Sequence, residues 1–244
     1  MNTYRLADLP IELCHKYPPR PASLLDFKTD EAPLFSCAVD DGEIERMAVE
    51  LSALRGEEAC TADLAFCETF ALFLALGERL PLYDGFLLHA AFLTIDGGGV
   101  AIRAPSGTGK STLAGALAAR LSDRCRIING DKPLVRRIDG RFYAYGTPFC
   151  GKEGWYRKES APIEKLIFLR RSDIDTVTPM KSAEAFPRLY EAVHLPKDSA
   201  TLARVPALLS ALLSTVTCYD AALTKEKSAA ECVYYALSRK EIPL

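Results

Sequence analysis

The stretch Ala104-Pro105-Ser106-Gly107-Thr108-Gly109-Lys110-Ser111-Thr112 constrains this chain more than any other part of it. It follows an apolar, strand-like segment, Val100-Ala101-Ile102-Arg103, and opens directly onto a helix-like one at 113–121. Strand, glycine loop and helix in that order are the setting of a phosphate-binding P-loop. Gly107 and Gly109 let the backbone turn its N–H groups inward around an anion. A helix starting at Lys110 adds unpaired donors and the positive end of its dipole. The loop from Ser106 to Thr112 is therefore expected to cradle a nucleotide, with Lys110 reaching the β- and γ-phosphates and the Ser111 hydroxyl holding Mg²⁺. Ala104 stands where the usual pattern begins with Gly, and Pro105 fixes φ at the loop entry instead.

A chain of 244 residues with 49% hydrophobic residues can bury a sizeable core as one large domain or two modest ones. A net charge of −2 provides no basic field for nucleic acid or an anionic membrane, so neither is expected as a partner. The eight cysteines contain no Cys-x-x-Cys pair and no Cys/His cluster, which speaks against zinc. They are scattered through apolar segments, as reduced core thiols of a cytoplasmic protein are. The N-terminus has no long apolar signal region, and the most apolar stretches, 70–76 and 208–213, are too short to span a bilayer.

Along the chain, strands are expected at 4–6, 11–13 and 35–39, with a proline-forced extended loop at 17–21. Apolar spacing predicts helices over 44–54 and 64–80, the second carrying a Phe66, Phe70, Phe73 stripe read as core. A buried strand over 87–95 precedes a glycine turn and the strand that enters the P-loop. Strands at 134–138 and 141–145 flank Asp139-Gly140, a strong hairpin signal. A buried strand at 165–169, helices at 182–193 and 199–215, a short strand at 218–223 and a closing helix from Lys225 complete the reading. Hairpins between the helices predict an α/β fold with a mixed sheet flanked by helices. Two parts are expected: a small N-terminal α/β region over 1–85, for recognising the acceptor or for assembly, and a nucleotide-binding domain over 86–244.

Asp131 follows the apolar pair Ile127-Ile128 about twenty residues after the P-loop lysine. That places a carboxylate at the carboxyl edge of the sheet, where a Mg²⁺-linked Asp or a catalytic base belongs. The competing reading is a plain turn Asp after Asn129-Gly130. His89 lies beside the strand entering the P-loop and is either a catalytic or Asp-orienting group or a satisfied core histidine. The loop 145–152, with Gly151 and Lys152 at its end, is a candidate substrate or phosphate lid, or a surface turn. Cys150 has no His near it in sequence and is not read as a nucleophile. Arg170 and Arg171 could reach phosphate or be solvated; His15 and His194 read as surface or packing residues.

His89, the glycine turn, A-P-S-G-T-G-K-S-T and the later I-I-N-G-D together resemble the catalytic domain of HPr kinase/phosphorylase and its relatives, whose fold is similar to the nucleotide-binding part of ATP-dependent phosphoenolpyruvate carboxykinases. The resemblance covers residues 86–160 clearly and the rest of the C-terminal half loosely. It implies a kinase that uses Mg²⁺ and ATP, or another nucleoside triphosphate, to phosphorylate a hydroxyl. On it, Lys110 and Ser111 match the nucleotide and metal positions, Asp131 one of a paired Asp-Asp, and His89 the active-site histidine. It also implies assembly as a homo-oligomer. The chain departs from the family at Gly130, where one carboxylate of the pair is missing. It departs again where Gly-Thr-Pro-Phe-Cys-Gly-Lys replaces the family's later glycine-rich signature, so HPr itself is not the expected acceptor. That feature resembles bacterial HPr-kinase-like proteins of which some accompany peptide-modification genes.

Two functions of different class follow. One is a kinase acting on a serine-type hydroxyl of a small molecule, peptide or protein, with Lys110, Asp131 and His89 as its catalytic residues. The other is a nucleotide-binding accessory module whose hydrolysis regulates a partner. A carboxykinase is disfavoured, because no His/Lys/Asp set for a second metal is present and the chain is short for that class.

Overall fold

The structure is a computed structural model that describes residues 2–56, 62–226 and 228–238. It begins with β1 (Thr3–Leu6) and β2 (Leu9–Leu13), joined antiparallel through Ala7 and Asp8, both at positive φ (51° and 60°). β3 (Phe35–Cys37) adds in parallel to make a three-stranded sheet. α1 (Asp41–Arg55) opens with a capping box, in which the Asp40 carboxylate accepts from the Glu43 N–H and the Glu43 carboxylate from the Asp40 N–H. α2 (Leu64–Arg79) is capped by Asp63. Its buried Glu68 accepts from the N–H groups of Lys16 and Tyr17 at 2.6 and 2.9 Å, which ties the proline-rich loop to the helix.

The remaining elements are β4 (Gly85–Leu87), β5 (Ala91–Ile95), β6 (Gly98–Arg103), α3 (Lys110–Leu121), β7 (Cys125–Asn129), β8 (Leu134–Ile138), β9 (Arg141–Tyr145), β10 (Ser160–Arg171), β11 (Thr176–Met180), α4 (Ser182–Tyr190), α5 (Ser199–Leu202), α6 (Val205–Leu213), β12 (Thr217–Leu223) and α7 (Ser228–Ser238). Their strands form one mixed sheet in the order β4-β8-β9-β10-β6-β5-β7, with β12 also beside β10 and β11 on β12. β10 is the pivot. Its first three residues pair antiparallel with β9, and the rest runs parallel to β6 and β12. The hairpin turns Asp96-Gly97 and Asp139-Gly140 are left-handed at both residues, as the right-handed strand twist favours.

β10 shows why the central apolar run does not alternate with polar residues. Leu166 and Phe168 face the cluster that includes Leu189 of α4 and Leu209 and Leu212 of α6, whereas Ile167 and Leu169 face Leu117 of α3 and Val233 of α7. Both faces are covered. On the N-terminal side, Tyr4, Leu6 and Ile11 share a cluster with Leu72, Phe73 and Leu76 of α2 and with Leu134 and Tyr145 of the large sheet. Among the described residues, no helix is long and apolar enough to cross a membrane.

The α/β class and the mixed, helix-flanked sheet agree with the sequence reading, and β8 and β9 fall on their expected bounds. Several elements differ. The strand expected over 87–95 is two strands, because β4 pairs with β8 while β5 pairs with β6 and β7. Between them, His89 donates its N–H to the Ala192 carbonyl at 2.8 Å and Ala90 to the Asp131 carbonyl at 3.0 Å. His89 is therefore outside the strands. The helix expected over 199–215 is divided, since Pro206 in the first turn of α6 has no N–H with which to continue α5. β11 and the 3-10 helix Ala22–Phe27 were not anticipated. Five cysteines (Cys37, Cys67, Cys125, Cys150, Cys218) are buried, Cys14 is exposed and Cys232 intermediate; Cys60 lies outside the described residues.

One close contact fixes the strand that feeds the P-loop. A Cβ at Gly99 of β6 would stand 2.0 Å from the Pro162 carbonyl oxygen. Gly99→Ala is expected to lose about 1–3 kcal/mol or more through overpacking, read as a lowered thermal midpoint; an unchanged midpoint would contradict the contact.

Candidate active site

β6 ends at Arg103 and hands the chain to a tight loop. Ala104, in place of the usual glycine, is buried at the base of the loop. The Thr108 N–H donates to the Pro105 carbonyl at 3.2 Å, and Gly107 and Gly109 have φ of 75° and 104°. Ser106, Gly107 and Thr112 are exposed; Thr108, Gly109 and Ser111 are half-buried. Gly109 caps α3, and the first intrahelical bond runs from the Leu113 N–H to its carbonyl at 2.9 Å. The N–H groups before Leu113 are therefore left without an intrahelical acceptor, as an anion cradle requires.

Lys110, the first residue of α3, is 8% exposed, and its Nζ donates to Asp131 Oδ1 at 2.5 Å. Asp131 also takes His89 Nε2 at 3.2 Å on Oδ1 and the Lys132 ammonium on Oδ2. Burial works against ionisation of Asp131. The hydrogen bond from His89 and the charges of Lys132 and Lys110 outweigh it and hold the carboxyl well below the usual carboxylate range. Burial also pulls Lys110 down from the ordinary lysine value, against the raising effect of the Asp131 carboxylate.

Asp131 is placed by a residue that the sequence reading treated only as part of a turn. Asn129, fully buried at the end of β7, accepts the N–H groups of Asp131 and Lys132 on its Oδ1 at 2.8 and 2.7 Å. Its Nδ2 donates to the carbonyl and hydroxyl oxygens of Thr147 at 3.1 and 3.0 Å, and the Thr147 hydroxyl donates to the Lys132 carbonyl at 2.9 Å. The turn and the loop after β9 are thus locked together. Asn129→Ala removes these partners, and each orphaned group costs about 1–3 kcal/mol. A lower urea midpoint with an unchanged m-value is expected; a wild-type midpoint would remove Asn129 from this role.

The loop after β9 lies directly over the turn. A Cβ on Gly130 would meet the Cys150 carbonyl oxygen at 2.4 Å, and Gly151, at φ 83°, would place a Cβ 3.3 Å from that of Asp131. Gly151 and Lys152 are exposed and line, with Asp131 and Lys132, a cleft of about 440 Å³. Phe66 and Phe70 line the same cleft, so only Phe73 of that stripe is fully buried core. Cys150 is buried, and burial pushes its thiol up.

The two arginines after the central strand diverge. Arg171 has its guanidinium where a side chain at position 109 would stand, 2.6 Å from an ideal Cβ there. Arg170 instead pairs with Asp220 at 3.0 Å. His15 and His194 lie by Glu68 and Glu78, both at 3.7 Å, outside the cleft; they are packing residues with mostly buried side chains. Among the described residues, no group of three or more His, Cys, Asp or Glu gathers as a metal cage. One hydroxyl at the helix start, Ser111, and one nearby carboxylate still suit Mg²⁺, which keeps water and phosphate oxygens as most of its ligands.

The family model described as "ScmC: SynChlorMet cassette protein ScmC" matches residues 58–196, which include the P-loop, Asp131 and the loop after β9. No curated protein matches the chain. Among solved structures, the Hpr(Ser) kinase/phosphatase from Coxiella burnetii is similar at 12% identity, over 62% of this chain and 95% of that one, with a TM-score of 0.35.

Proposed function

We propose, from the premise that this chain belongs to the SynChlorMet cassette protein ScmC family, that it is an ATP-dependent, Mg²⁺-dependent kinase of a serine-type hydroxyl. The observation that carries this reading is the junction of Lys110 and Asp131 at 2.5 Å, behind two left-handed glycines and at the start of a helix. The loop amides and Lys110 would hold the phosphates and balance charge developing on the transferred group. Arg171 beside Gly109 adds a further cation at the rim of the nest. Ser111 and Asp131 would hold Mg²⁺, which when bound neutralises phosphate charge.

The acceptor hydroxyl oxygen forms a bond to the γ-phosphorus while the bond from that phosphorus to the β–γ bridging oxygen breaks, its electron pair leaving with the nucleoside diphosphate. The hydroxyl proton passes to the Asp131 carboxylate late, once the forming bond has made it strongly acidic. A carboxylate this stabilised is a weak base, which suits a loose transition state that asks little of one. His89, at 3.2 Å from Oδ1, orients Asp131.

One observation favours a second reading. The Cys150 carbonyl closes the space at Gly130, so position 130 carries no carboxylate where the HPr-kinase pattern has the first of its pair. A nucleotide-binding module that hydrolyses slowly and regulates a partner would need no more. ATP labelled at the γ-phosphate, supplied with Mg²⁺ and candidate acceptors, separates the two. Label on an acceptor supports the kinase, whereas label only in free phosphate supports the module. No calorimetric heat with Mg²⁺ and nucleoside triphosphates would defeat both.

A further inference from the structure

The cleft that ends at Asp131 is built largely from residues that phosphate chemistry leaves without a task. We propose that it receives the acceptor as a peptide and seats a large apolar side chain next to the hydroxyl residue, an inference that rests on the kinase reading. Its volume of about 440 Å³ lies within the range of about 300–1,000 Å³ usual for ligand sites. One wall is aromatic. The Phe66 and Phe70 rings are 6.0 Å apart, one helical turn along α2, and Phe70 lies 5.6 Å from Phe149 of the loop over Asp131. The N-terminal region and the P-loop part therefore share this wall, which gives residues 1–85 an acceptor-recognising role.

Charge and surface narrow the occupant. Asp131 is already matched by Lys110, His89 and Lys132, while Lys132 lies 5.5 Å from the Phe70 ring centroid and Lys152 stands exposed at the cleft. The cleft thus offers cations to an acidic group placed near the apolar anchor. Apolar surface also continues outside it. Leu51 lines the cleft, and Leu54, one turn further along α1, is 83% exposed; Leu64, two residues before Phe66, is 41% exposed. A second apolar foothold beyond the cleft suits a chain that runs on past it rather than a lone metabolite.

The test uses the full chain with Mg²⁺, γ-labelled ATP and blocked heptapeptides containing one serine flanked by Phe, Leu or Gly, with and without a neighbouring Glu; free serine is the small-molecule arm. Transfer to Phe- or Leu-flanked peptides is expected to exceed that to Gly-flanked ones at least about tenfold in kcat/KM, with a further gain from Glu. Phe66→Asp should erase the apolar preference, and Lys152→Glu the acidic one, with MgATP heat unchanged in both. If Phe66→Asp unfolds, the peptide series and the exposed Lys152→Glu variant still decide. Equal transfer across the series, free serine serving as well as any peptide, or MgATP heat without transfer to any peptide would overturn the inference and leave nucleotide binding standing. Absence of MgATP heat would instead remove the kinase reading, and the inference with it.

Discussion

Replacing Lys110 with alanine is expected to reduce phosphoryl transfer about 10³-fold or more, the cost of removing a preorganised cation from a developing phosphoryl charge. The lysine is well placed for such a role, because α3 fixes its backbone and only 8% of it is exposed. Few other groups can substitute for it. Lys132 is engaged on the second oxygen of Asp131, and the Arg171 guanidinium is set against Gly109 rather than against Asp131. The loss should appear in single-turnover rates with ATP saturating, so that weakened nucleotide binding does not mask it. Lys110→Met, which keeps most of the volume, should fail equally. Near-normal transfer by either variant would rule out the proposed role.

Asp131→Asn is expected to lower transfer by about 10²–10⁴, the span typical of an acid–base group, read with MgATP saturating so that a weaker hold on Mg²⁺ does not enter the rate. The amide keeps the shape and can still be held by His89, so the loss would reflect charge rather than geometry. The same variant tests the electrostatics of folding. The Asp131 carboxyl titrates below its unfolded value of about 3.9, so its contribution is fully present above that pH and is lost as pH falls towards the folded value. Wild type should therefore exceed Asp131→Asn in urea midpoint by a constant margin from about pH 8 to 5, and the margin should close below about pH 4. A margin that grew on acidification would contradict the ion-pair arrangement.

The features legible in the chain itself are those set by neighbouring residues. Gly107 and Gly109 bend the loop because a residue without Cβ turns readily to positive φ, and Lys110 follows as the first residue of α3 for the same local reason. Asp139-Gly140 determines the β8–β9 hairpin, and the capping of α1 by Asp40 is written within four residues. The place of Asp131 beside the phosphate loop could be anticipated because it follows an apolar strand about twenty residues after the P-loop lysine. What only the tertiary structure decided involves partners far apart in sequence. Asn129 reads as a turn residue until Thr147, eighteen positions on, is seen to hold its side chain. Gly130 reads as a missing carboxylate until the Cys150 carbonyl is found occupying the space. Phe66 and Phe70 read as core until α2 lies open to the cleft beside Phe149. Local backbone preference acts within a few residues and is therefore written in order along the chain. Close packing and the pairing of buried polar groups act between surfaces that meet only once the chain has folded.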